Sequence, residues 1–186
     1  MSAHMIDDPT PATREEQLVV FRVGEDYFAM LISNVNEIIR LQKITPVPKA
    51  PPFVEGVTNL RGRVIPVMDL RKRFGVTPKP AGYTARIIVV EQDERLLGMM
   101  VDAVDEVLTV PTSSIEPVDE MVVSVDAEFL AGIVRLDERL IILLDKEAVL
   151  SSGEAHQLQS LKVTGKALKE VEAQAEEEPE MLPSGR

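Results

Sequence analysis

GVTNLRGRVIPVMDL, residues 56–70, reads as two β-strands joined at Arg61-Gly62 and running into a short helix. The glycine suits a tight hairpin turn that needs φ > 0. Asp69 stands where it can N-cap the helix LRKRF, and Gly75 falls at that helix's C′ position. A second stretch, GIVRLDERLIILLD, residues 132–145, repeats the phrase. There, Asp137 and Glu138 replace Arg61 and Gly62. One structural phrase is written twice, and the turn carries a cation in only one copy.

Working outward, the repeat extends over most of the chain. YFAMLISNVNEII aligns with LLGMMVDAVDEVL at an offset of 69 residues, pairing Phe28 with Leu97, Met30 with Met99, Val35 with Val104, Glu37 with Glu106 and Ile38 with Val107. Further on the offset is 76 residues, pairing Phe53 with Phe129, Gly56 with Gly132, Leu60 with Leu136 and Asp69 with Asp145. The change falls in a loop, where insertions are tolerated. Each copy reads hairpin (QLVVFRV, then YFAMLI, in the first), third strand (VNEIIRL), proline-bearing loop (ITPVPKAPPF), second hairpin, short helix.

Five short strands cannot bury a core as an open sheet, and closure removes their exposed edges. The expected fold is mainly β: two pseudo-symmetric five-stranded SH3-like barrels with short helices and a C-terminal helical extension. The expected boundaries are a loose tail over 1–14, barrel halves over about 15–85 and 86–152, and an acidic, partly helical or disordered extension over 153–186. In the extension, Leu158, Leu161, Leu168 and Val171 stand at helical spacing, although Val163-Thr164 and Gly165 weaken the pattern. Such a stripe more often docks on its own domain than recruits a partner. The end, Glu176 to Glu180, is expected to fray.

The composition narrows the function. Of 186 residues 45% are hydrophobic but only 4% aromatic, so the core must be aliphatic. There is no cysteine, and the two histidines, His4 and His156, lie near the chain ends. Disulfides and thiolate chemistry are excluded, and a histidine-based triad or metal centre is disfavoured. The net charge of −11 argues against nucleic acid. It is unevenly spread: ten Lys/Arg face two acids between Arg40 and Arg86, while residues 111–128 hold five acids and no base. That polarity suits a molecule offering different faces to different proteins. No apolar run approaches a membrane span. The expected location is cytoplasmic.

No catalytic set converges. Ser33, Ser124 and Ser151 lack a neighbouring histidine, and GVTNLRG lacks the lysine and glycine spacing of a phosphate loop. Asp102 and Asp105 could hold a divalent cation, but carboxylates at turns usually just solvate. No catalytic residue, metal ligand or cofactor is assigned. Arg61 carries two readings of equal weight: a structural brace to Glu37 or Glu55, or a guanidinium fork at the seam between barrels aimed at a partner.

The signature Asn59-Leu60-Arg61-Gly62, Pro66-Val67, Asp69-Leu70-Arg71, together with VNEIIRLQKITPVPKAPPFVEG and LLGMMVDAVDEVL, resembles the CheW-like family of chemotaxis coupling proteins, over about residues 15–152. The resemblance implies a non-enzymatic adaptor. It joins the cytoplasmic tip of a chemoreceptor helical bundle to the regulatory domain of the CheA histidine kinase, and is held beneath the inner membrane only through the receptor. It implies a receptor groove involving Val35, Glu37, Ile38, Arg61, Gly98 and Val107, and kinase contacts at Ile44, Pro48 and Phe53. The rival readings are a CheW-like regulatory module of a related receptor–kinase pathway, a fragment of a larger signalling protein, and a small-ligand barrel of another class.

Overall fold

A computed structural model describes residues 14–77, 79–118, 126–161 and 165–176. The hairpins stand where the apolar runs place them. β1 (Glu15–Val23) and β2 (Asp26–Leu31) turn at Gly24, and β3 (Val35–Arg40) follows. β4 (Val54–Leu60) and β5 (Arg63–Asp69) enclose Arg61 and Gly62, whose φ values of 50° and 81° match the right-handed strand twist. Asp69 accepts from Arg71 N at 2.9 Å and caps α1 (Leu70–Arg73), with Gly75 at φ 69° beyond its end. The second copy supplies β6 (Arg86–Gln92), β7 (Arg95–Val101), β8 (Ala103–Pro111), β9 (Ile115–Glu116), β10 (Leu130–Leu136), β11 (Arg139–Leu144) and α2 (Lys146–Val149), capped by Asp145.

The repeat holds in the hydrogen-bond register. The β4–β5 ladder bulges between Val54 and Gly56, and the β10–β11 ladder between Leu130 and Gly132. The β3–β6 ladder skips Asn36, and the β8–β1 ladder skips Asp105. All four breaks fall at the two offsets read from the sequence.

The expected boundary near residue 85 does not separate the sheets. One sheet runs β3-β6-β7-β5-β4; the other runs β8-β1-β2-β11-β10-β9. Each copy has given its first hairpin to the other. The reason is local degeneracy: β1 meets Val104 and Glu106 in the register in which β6 meets Val35 and Glu37. The repeat makes the two pairings interchangeable in the sequence, and only tertiary packing chooses.

Closure is achieved alike in both sheets. Past β8, the turn Thr112–Ser114 leads straight into β9, which pairs with β10. Past β3, the chain makes a single bridge from Thr45 to Val57 of β4. Gln42 Nε2 and Thr58 Oγ1 tie the intervening gap, at 2.8 Å to each other and 2.9 Å from Thr58 to Lys43 O. The β9 strand brings one sheet to six strands rather than the expected five.

Three apolar clusters follow from strand alternation. Leu18, Val20, Ala29, Val134, Ile141 and Leu143 fill one barrel; Leu60, Ile65, Val67, Ile87, Val89 and Met100 fill the other. The largest cluster lies between them and holds Phe21, Phe28, Met68, Phe74, Met99, Phe129 and Leu144. Phe21, Phe28, Phe74 and Phe129 form a chain of rings with centroids 5.2–6.2 Å apart. The few aromatics of this chain are thus concentrated at the seam.

Arg73 closes that seam. Its guanidinium lies 4.7 Å over the Phe53 ring and 4.9 Å over the Phe129 ring, which are repeat partners. It forks onto Glu154 at 2.7 and 2.8 Å and donates to Val149 O at 2.9 Å. Glu154 also completes a capping box with Ser151 at the start of α3 (Ser152–Gln159). Burial alone would raise its carboxyl, but the Ser151 and Arg73 hydrogen bonds outweigh it and hold the group below the ordinary glutamate range.

Among the described residues the extension carries two helices, α3 and then α4 (Gly165–Glu176). Leu158 and Val171 are buried on the chain's own barrels, Leu161 is half-buried and Leu168 is exposed. Val171 packs on Val47 and Val57, and Asn59 Nδ2 donates to its carbonyl at 3.3 Å. Val163 and Thr164, where the helical pattern weakens, lie outside the described residues, as do residues 1–13 of the expected tail, residues 119–125 of the acidic loop in which the change of offset is expected, and all but the first residue of the expected fraying end.

Arg73→Ala should cost about 2–3 kcal/mol in urea unfolding, below the range for a fully buried pair because both side chains are partly exposed. The lowered Glu154 group contributes stability that is present at neutral pH and is lost as pH falls through and below the ordinary carboxylate range. Glu154→Gln should therefore flatten the acid limb of the stability curve as well as lower its plateau.

Candidate functional site

The chemistry at the seam's outer side starts from the end strands, β3 and β8. Val35 and its repeat partner Val104 both pack against the central cluster, so the two strands leave the seam at equivalent points. Three residues further out, Ile38 is 39% exposed and Val107 52% exposed. Exposed aliphatics at matched positions on two end strands are unusual for surfaces that face only water.

Glu37 and Arg61 are brought together. Arg61 Nη2 donates to Glu37 Oε2 at 2.9 Å, and Nη1 to Oε1 at 3.3 Å. Of the two partners weighed for Arg61, Glu55 is taken instead by Lys72 Nζ at 2.6 Å. The other copy has its own cation, which the turn residues hide. Arg139 Nη1 donates to Glu106 at 2.7 Å, and Glu106 is the repeat partner of Glu37. Arg139 is the repeat partner of Arg63, so the cation has moved two residues along the hairpin. That offset was already in the sequence alignment.

The remaining assignments divide. Gly98 is buried on β7: an added Cβ would lie 2.8 Å from Ile87 Cγ2 and 3.2 Å from Val67 Cγ2. The missing side chain lets the neighbouring strands pack closely, and no periodicity distinguishes a packing glycine from an exposed one. Pro48 is exposed, Ile44 is half-buried against the first-copy barrel core, and Phe53 lies beneath Arg73. The three do not form one open patch. Arg73, which sequence reasoning passed over, is visible only once Phe53 and Phe129 face each other.

The paired carboxylates Asp102 and Asp105 are each engaged by an arginine. Arg71 Nε donates to Asp102 at 3.0 Å and Arg22 Nε to Asp105 at 3.2 Å. Asp102 also accepts from Gly24 N at 2.7 Å, locking the first hairpin to the start of β8. Burial raises Asp69 above the ordinary aspartate range, while the Arg71 backbone hydrogen bond and charge oppose it. Among the described residues, no group of three His, Cys, Asp or Glu side chains could hold a metal ion, and no helix is long and apolar enough to cross a membrane.

Twin barrels joined by exchanged hairpins, with exposed aliphatics and charge pairs on their end strands, define a protein-binding module. The family model for the CheW-like domain matches residues 17–154. The chain is 38% identical over 143 residues to the probable chemotaxis protein CheW of Rhizobium etli, covering 76% of this chain and 91% of that one. It is 36% identical over 135 residues to the chemotaxis protein CheW of Bacillus subtilis, covering 73% and 86%. The crystal structure of the scaffolding protein TtCheW from Thermoanaerobacter tengcongensis superposes with a TM-score of 0.70 at 35% identity, covering 82% of this chain and 96% of that one. This chain belongs to the CheW-like family.

Gly98→Ala should destabilise the fold by about 1–3 kcal/mol through overpacking, read as a lower urea midpoint. Glu37→Gln, which removes one exposed ion pair, should cost less than about 1 kcal/mol in the same assay.

Proposed function

We infer that this chain is a chemotaxis adaptor that performs no chemistry of its own and works by gripping two other proteins: a helical receptor tip and the regulatory domain of a CheA-type histidine kinase. The observation that carries this is the pairing of Ile38 with Val107. They are exposed at equivalent points on the two end strands, each beside a carboxylate–arginine pair. A helical hairpin laid between them meets aliphatic contact from both barrels and a polar group on each side to set its register. Val35 contributes from the seam itself. Membership of the CheW-like family, and the names of its chemotaxis relatives, support the reading.

The kinase contact falls on the proline-bearing segment between β3 and β4. Pro48 offers the exposed surface, and Ile44 and Phe53 are half-buried nearer the two ends of the segment. A rim of this kind suits contact between barrels and leaves the receptor face free. The protein is cytoplasmic in this reading and reaches the membrane only through its receptor. It needs no cofactor, and a signal crosses it as a small rigid shift.

The test is a calorimetric titration of the full chain with a receptor-tip helical hairpin. Ile38→Glu and Val107→Glu should each weaken binding at least about tenfold, as expected for a buried contact residue, with the circular dichroism spectrum unchanged. Pro48→Glu should leave that titration intact and weaken binding to the kinase regulatory domain. Normal receptor binding by both strand variants would overturn the groove; equal loss of both partners on Pro48→Glu would overturn the separate kinase rim.

A further inference from the structure

The two helices of the extension are held very differently. α3 is fixed to the seam: Ala155 and Leu158 are buried in the central cluster, and Glu154 is forked by Arg73. α4 rests on the barrels at a single point. Among its described side chains Val171 is the buried one, set on Val47 and Val57. Glu170 is half-buried, and Leu168, Lys169, Glu172 and Ala173 are exposed. Among the described residues, the polar tie to α4 is the bond from Asn59 Nδ2 to Val171 O at 3.3 Å, and no ion pair joins the helix to the barrels.

The surface under α4 borders the proline-bearing segment. Val47 directly precedes Pro48, and Val57 lies on β4, the end strand of its sheet, whose outer side carries the single bridge to Thr45. Val47 and Val57 are 8% and 3% exposed beneath the helix. Both belong to the part of the chain that the family model matches, whereas α4 lies beyond residue 154, where the match ends. A helix is about 10 Å across with its side chains. Seated on Val47, α4 therefore stands proud of the surface on which Pro48 lies. The end of α3 adds to the obstruction: Gln157, Ser160 and Leu161 line one groove with Pro48, Pro51 and Pro52.

We propose that α4 is a detachable cover over the kinase rim: seated, it occupies the aliphatic surface of Val47 and Val57 on which the kinase regulatory domain docks, and that domain displaces it. The cover rests on the rim reading given above. Displacement is easy because one valine and one long hydrogen bond hold the helix, against the seam contacts that hold α3. The uncovered patch joins Pro48 to the outer side of β4, where a partner barrel finds both apolar contact and a strand edge. Cover and partner compete for one surface, so each weakens the other's hold by the same factor.

The test is hydrogen exchange and calorimetry on the full chain with the regulatory domain of a CheA-type kinase. Val171→Glu should speed exchange throughout α4, because a helix this short is marginal once undocked, and should leave β6 and β7 protected. It should also tighten binding of the regulatory domain about tenfold, the factor that burial of one valine contributes to the closed form. Val171→Ala should move the affinity the same way by about threefold. In the wild-type chain, the regulatory domain should speed exchange in α4 while slowing it at residues 44–50 and 57. Unchanged or weaker affinity in Val171→Glu, continued protection of α4 in that variant, or added protection of α4 in the complex would each overturn the cover. The rim is judged separately: if Pro48→Glu leaves kinase binding intact, the rim falls and the cover with it. If Pro48→Glu weakens binding and Val171→Glu fails to strengthen it, the rim stands and the cover alone falls.

Discussion

The Arg73 guanidinium, held between the faces of Phe53 and Phe129, is the contact on which the relation between the barrels depends. It belongs to α1 of the first copy, yet its partners are Phe129, Val149 and Glu154, all from the far end of the chain. Removing a guanidinium from water costs several kcal/mol. Three charge-assisted hydrogen bonds at about 1.5–3 kcal/mol each, and two ring faces at about 0.5–2 kcal/mol each, offset that cost. The net gain is modest, and the directional gain is large. A planar fork between two rings and a carboxylate has few satisfactory orientations, so Arg73 fixes how one barrel sits on the other.

The hairpin exchange makes the same point at the level of the backbone. Each barrel contains two strands that the repeat would assign to its neighbour, so neither copy can close without the other. The seam is therefore not an interface between two finished domains. Its cluster of phenylalanines and methionines is the largest core in the molecule, and close-packed cores transmit displacement rather than absorb it. β3 and β8 are anchored in that core through Val35 and Val104. Both end strands are thus tied to packing that the two barrels share.

Much of this was legible in the residues. Strand limits, the Asp69 and Asp145 caps and the two offsets are local properties, set by periodicity, turn chemistry and capping, and they reappear in the ladders almost residue by residue. The pairing of β1 with β8 was not legible, because a repeat writes the same edge twice and pairing is a global choice. The close packing at Gly98 was not legible for a related reason. A glycine required by a neighbour's Cγ2 reads the same as one required by a partner. The contact between Phe53 and Arg73 was not legible either, because the two lie twenty residues apart. The extension, read as partly helical or disordered with a weak point at Val163, Thr164 and Gly165, carries two helices among the described residues, and the second begins at Gly165.

The opening asymmetry also changes meaning. The second copy does not lack a cation; it holds one differently. Arg139 lies in a strand, stacks 5.4 Å over the Tyr27 ring and is bonded to Glu106, a hydrogen bond that raises its pKa. Arg61 sits in the turn itself, at φ 50°, with its side chain 74% exposed, and meets Glu37 from solvent. An ion pair that wet is worth no more than about 1 kcal/mol, so a partner's carboxylate can displace Glu37 at little cost. The pinned pair braces one barrel, whereas the open pair can be exchanged. What distinguishes the two copies is the availability of the guanidinium, and a turn is the place in a hairpin where a long side chain can be both anchored and free to change partners.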